Sequence, residues 1–233
     1  HTVAGTGAII VINNTAPALN TSISNNKFNN ISTNTTASFT FISNSILMPV
    51  GGSQTVSGNE IVTGFSKTGV GNTVILFTTT ASSPAGTTSI NNNNKFSNIS
   101  VTGATAIAGW INRDGASTTS GPIKTITNNT FTNWSGGTLA YTVLTENAGA
   151  LTSNVSNNTI NNITGANLVT GISVLNNSNA TFQNNVINSL ATTGTAALTA
   201  VVSGVTISGA ASSSNAPKLY KNKIYDLSAS DAT

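Results

Sequence analysis

Asn93-Asn94-Lys95-Phe96-Ser97-Asn98-Ile99-Ser100 decides the fold, because the phrase keeps returning along the chain. It appears upstream as Asn25-Asn26-Lys27-Phe28-Asn29-Asn30-Ile31-Ser32. Downstream it recurs as Asn128-Asn129-Thr130-Phe131-Thr132-Asn133-Trp134-Ser135 and as Asn157-Asn158-Thr159-Ile160-Asn161-Asn162-Ile163-Thr164. Weaker copies stand at Gly58-Asn59-Glu60-Ile61, with Phe65 one place late, at Asn184-Asn185-Val186-Ile187, and at Lys221-Asn222-Lys223-Ile224. The second residue of each copy is an anchor: Asn26, Asn59, Asn94, Asn129, Asn158, Asn185 and Asn222. The anchors are separated by 33, 35, 35, 29, 27 and 37 residues. A repeat of that length is one supersecondary unit that buries its apolar face only by stacking on its neighbours.

Each column of the repeat reads as a position in space. Two places after the anchor stand Phe28, Ile61, Phe96, Phe131, Ile160, Ile187 and Ile224, all apolar, while the place between is mostly polar. That alternation is a strand with one face inward, and the apolar column is the expected core stack. The column after it (Asn29, Ser97, Thr132, Asn161, Asn188, Tyr225) is expected to point outward. In six copies the next apolar residue comes three places later, an odd step that requires a bend at Asn30, Asn98, Asn133, Asn162, Ser189 and Asp226. Asn suits both bends because it tolerates left-handed backbone angles and bonds locally through its amide.

A second β-branched and apolar run follows each phrase, as in Phe39-Thr40-Phe41-Ile42, Val74-Ile75-Leu76-Phe77, Ala106-Ile107-Ala108, Leu139 to Val143, Val169 to Val174 and Leu198 to Ile207. These runs favour strand over helix. All five prolines (Pro17, Pro49, Pro84, Pro122 and Pro217) precede an anchor by five to ten residues, so a strand-breaking loop recurs at one phase. The prediction is an all-β, single-stranded parallel β-solenoid of about seven coils, forming one domain over residues 1–233, with one coil per repeat. Identical columns then sit about 4.8 Å apart, and the anchor asparagines bond amide to amide as a ladder.

The pattern Asn-Asn-x-Ile/Phe-x-Asn-Ile/Trp-Ser/Thr resembles the parallel β-helix repeat family, whose right-handed coils build pectinolytic enzymes, phage tailspikes and large bacterial surface adhesins. The richness in Asn, Thr, Ser and Gly with few charges is similar to adhesin stretches of Gram-negative bacteria. The resemblance implies right-handed coils and export to the cell surface.

Composition narrows the function. The chain has 39 Thr, 35 Asn, 29 Ser and 21 Gly among 233 residues, but only eight basic and five acidic residues, one His and no Cys. Most catalytic groups are therefore scarce, thiolate metal sites are excluded, and no cofactor is expected. A net charge of +3 is too small to neutralise a phosphate backbone, which argues against nucleic acid. No apolar stretch is long enough for membrane insertion as a helix. The start at His1-Thr2-Val3 reads as a piece of a longer secreted protein, and lone His1 reads as solvated.

The acids Glu60, Asp114, Glu146, Asp226 and Asp231 lie at different phases of the repeat. The nearest candidate pair for glycoside chemistry is Asp114 with Glu146, and the plain expectation is two solvated loop carboxylates. Lys218, Lys221 and Lys223 read as a solubilising face. Trp134 falls in the column of Ile31, Ile99 and Ile163 and is expected in the core, whereas Tyr225 is placed outward, and Trp110, Tyr141 and Tyr220 raise the same question of sugar stacking. The expected function is a non-catalytic rigid stalk, filament or adhesive segment of an extracellular, cell-surface protein. Its expected partners are flanking coils or identical subunits end to end, and polysaccharide or an abiotic surface. A carbohydrate-binding or carbohydrate-active β-helix is the alternative, and an ice-binding solenoid a minor one.

Overall fold

The structure, a computed structural model, describes residues 5–114, 121–147, 152–175, 180–194, 200–208 and 217–230. His1, Asp231 and the start of the run at Leu198 lie outside them. The described chain winds through three parallel sheets, with about six turns between the first strand of a sheet and its last. The first sheet stacks Ile9–Asn14, Phe39–Asn44, Thr73–Thr79, Ala106–Asn112, Tyr141–Asn147, Leu168–Leu175 and Val201–Ser208. From Phe39–Asn44 onward these strands contain or overlap the apolar runs read from the sequence. The third sheet carries the Asn-Asn phrase, from Lys27–Phe28 to Lys223–Ala229.

Register follows the repeat. Phe96 pairs with Phe131, Phe131 with Ile160, Ile160 with Ile187, and Ile187 with Ile224. Every residue of that column is buried except Ile224, which is 43% exposed on the edge strand of the sheet among the described residues. The one-place delay at Phe65 is absorbed locally. Phe65 still pairs with Ile31 and Ile99, and Gly64, at φ +91, takes up the extra residue. A Cβ at Gly64 would lie 2.9 Å from the Asn98 carbonyl oxygen, so only glycine fits there.

Both predicted bends are left-handed. The residue before each anchor (Asn25, Gly58, Asn93, Asn128, Asn157, Asn184, Lys221) has positive φ. So do Asn30, Asn98, Asn133, Asn162, Ser189 and Asp226 at the second bend, with φ between 52 and 60. One prediction needs correction: the column expected to face outward is mixed. Ser97 and Asn188 are buried, each bonded along the axis, with Thr132 Oγ1 donating to Ser97 Oγ at 2.9 Å and Asn161 Nδ2 to Asn188 Oδ1 at 2.9 Å.

The second sheet, not foreseen from the sequence, lies between the proline loops and the anchors: Asn20–Ser24, Ser53–Ser57, Thr88–Asn92, Ile123–Thr127, Thr152–Ser156, Ala180–Gln183 and Lys218–Tyr220. Its inward column three places before the anchor supplies Ile23, Val56, Ile126, Val155 and Phe182 to the core. Aromatic rings run through that core, with Phe77 stacked on Trp110 at 4.4 Å and Phe131 edge-on to Trp134 at 6.0 Å. Where Trp134 reaches across, the first sheet has Gly109, whose Cβ would meet the indole at 2.8 Å. Large and small residues are matched across the interior.

Candidate functional site

The anchors form the predicted ladder, and it is unbroken. Each anchor's Nδ2 donates to the Oδ1 of the next, from Asn26 through Asn59, Asn94, Asn129, Asn158 and Asn185 to Asn222, at 2.8 to 3.0 Å. The same Oδ1 also accepts the backbone N–H of the preceding anchor, at 3.0 to 3.1 Å. From Asn59 onward the second Nδ2 proton goes to a second-sheet carbonyl, as from Asn129 to Asn91 O at 3.0 Å. A buried amide is thereby satisfied on both its oxygen and its nitrogen.

A second, exposed ladder runs along the other bend, with Asn162 Nδ2 donating to Asn133 Oδ1 and Asn133 Nδ2 to Asn98 Oδ1, each at 2.9 Å. On the outer column Glu60 bridges Lys27 at 2.5 Å and Lys95 at 3.2 Å. Hydrogen bonds from Lys27 and then Lys95 hold its carboxyl below the usual range.

The acids expected in solvated loops are elsewhere. Asp114 and Glu146 are both fully buried. Asp114 Oδ1 accepts the Ser83 N–H at 2.8 Å; Glu146 Oε1 accepts the Ser153 hydroxyl at 2.8 Å and lies 3.3 Å from the Lys124 ammonium. Burial raises the Glu146 pKa, Lys124 and Ser153 oppose the rise, and Asp114 adds to it, so the two acids feel one another. Full burial denies the pair the access that glycoside chemistry needs, since a polysaccharide cannot reach fully covered carboxylates. Sequence reading misplaced these residues because polarity was taken for exposure. The signal that would have found them is phase: Lys124 and Ser153 share the column five places before the anchor with Gln54 and Ser89, all buried.

Lys67 is also buried, donating to the carbonyls of Gly69 and of Gly71, the latter at 2.7 Å; desolvation lowers its pKa. Trp110, Trp134 and Tyr141 are core residues, leaving Tyr220 and Tyr225 exposed on the last rung beside Lys218, Lys221 and Lys223. Burial raises the Tyr141 phenol, which donates to Gly136 O at 2.6 Å. The proline loops of the first three rungs stack into an open apolar groove lined by Pro17, Leu19, Leu47, Pro49, Val50 and Pro84. Leu19, Leu47 and Val50 are more than half exposed there. Among the described residues no group of three or more His, Cys, Asp or Glu could hold a metal, and no helix is long and apolar enough to cross a membrane.

No family model, no curated protein and no solved structure matches the chain.

Proposed function

We propose that the chain is a rigid structural and adhesive segment of an extracellular surface protein, of the kind found in bacterial adhesins. The observation that carries the reading is the ladder from Asn26 to Asn222, which runs the whole length of the stack beside a continuous core. Backbone and side-chain bonds aligned with the axis share a pulling or bending load among many parallel links. The outer surface carries few charges and many hydroxyl and amide groups, suited to numerous weak contacts with polysaccharide. The apolar groove at Leu19, Leu47 and Val50 adds a patch that adheres to an abiotic surface by excluding water.

Antibody raised against the chain tests the placement. Labelling of intact, unpermeabilised producing cells is expected; labelling only after permeabilisation refutes it. Adsorption of the purified chain to polysaccharide and to hydrophobic sensor surfaces tests adhesion, with loss on changing Leu47 and Val50 to Ser expected on the hydrophobic surface alone. Release of reducing ends from polysaccharide would favour a carbohydrate-active enzyme instead.

A further inference from the structure

The Lys124–Glu146 pair has a neighbour of unusual character. Asn112 is fully buried, yet among the described residues neither atom of its amide has a hydrogen-bond partner. It is the direct strand partner of Glu146 on the adjoining rung. Asn112 and Lys124 occupy the same two columns, on one rung, as Asn44 with Gln54 and Glu146 with Ser153. Those two pairs touch, at 2.5 Å and 2.8 Å. The corner between the first and second sheets thus places one buried amine, one buried carboxyl and one unbonded carboxamide at neighbouring positions on two adjoining rungs.

We propose that Lys124 Nζ and Asn112 Cγ join in an internal amide cross-link, with Glu146 as the proton carrier. The ammonium gives a proton to the Glu146 carboxylate, and the freed amine attacks the Asn112 carbonyl carbon. The Nζ–Cγ bond forms, the protonated Glu146 carboxyl delivers its proton to Nδ2, the Cγ–Nδ2 bond breaks and ammonia leaves, and the carboxylate so formed takes the second proton from Nζ. Nothing is oxidised or reduced, and Glu146 ends as the neutral acid. Enclosure favours the reaction twice: burial disfavours the charged carboxylate, and no water competes for the carbonyl. The raised Glu146 pKa agrees with that protonation. The bond would tie the first sheet to the second at mid-stack, and it stands whether or not the chain acts at a cell surface.

High-resolution intact mass of the purified chain, denatured before measurement, tests it. The expected mass is about 17 Da below that of the sequence, one ammonia. Trypsin should leave the segments on either side of Arg113 joined, with no cleavage after Lys124. Lys124→Met and Glu146→Gln should each restore the full mass, and circular dichroism identifies whether Glu146→Gln still folds. A full-mass parent protein overturns the proposal. So does a loss of about 18 Da, which would mark a carboxyl as the acyl partner. A loss of ammonia that persists in Lys124→Met, marking cyclisation at another asparagine, overturns it as well.

Discussion

Asn129 shows how much one side chain does in this protein. Its amide donates to Asn158 and to the Asn91 carbonyl and accepts from the backbone and side chain of Asn94. Alanine there strands several buried partners, so Asn129→Ala is expected to cost about 3 kcal/mol, whereas Asn29→Ala, on an exposed residue, stays within about 0.5 kcal/mol. Urea denaturation compares the two, and equal midpoints would contradict the ladder's energetic role. Ser189 holds φ 52 at a bend where most coils use Asn. Ser189→Asn should raise stability by about 0.5 kcal/mol, because Asn is better suited to that conformation and extends the outer ladder above Asn162. A lower melting temperature would refute this. These residues were legible in the sequence because one residue type recurs with fixed flanks, and no packing detail was needed to align it.

At the scale of the strand, legibility depended on the inward columns. The first and third sheets advertise theirs with Phe, Ile, Leu and Val. The second sheet hides one of its two, since Gln54, Ser89, Lys124 and Ser153 point into the molecule where alternation predicts apolar residues. Without that cue the sequence does not announce the strand, and the acids Asp114 and Glu146 are expected in solvated loops. The outer Lys27–Glu60–Lys95 bridge between strands yields a pH prediction. The folded-state carboxyl is held below its ordinary value, so its contribution is present above that value and is lost as pH falls through the lowered one. With side chains 56% and 25% exposed, screening keeps it under about 1 kcal/mol. The parent should melt slightly above Glu60→Gln at neutral pH, and the gap should close in acid and in high salt. A gap that widens in acid would reverse the assignment.

Over the whole molecule, the value of a contact depends on its height in the stack. Ile187 and Ile224 share a column, but the first is fully buried between rungs and the second is 43% exposed. Ile187→Ala should therefore cost about 3 kcal/mol and Ile224→Ala about 1 kcal/mol, measured by the same denaturation. Equal costs would mean that the terminal rung is covered in solution. The matched register of all three sheets also explains why periodicity revealed the fold and said so little about chemistry. A repeat fixes what every coil shares, whereas the buried Lys124–Glu146 cluster exists at one height only, and a singular feature leaves no periodic trace.

The spacing between anchors ranges from 27 to 37 residues while the rungs stay aligned. Most of the length difference is taken up in the connections, and every junction keeps the same parallel backbone pairing. A coil added or removed in phase would leave the three sheets continuous. Reach would then scale with the number of coils, with no new backbone pairing required.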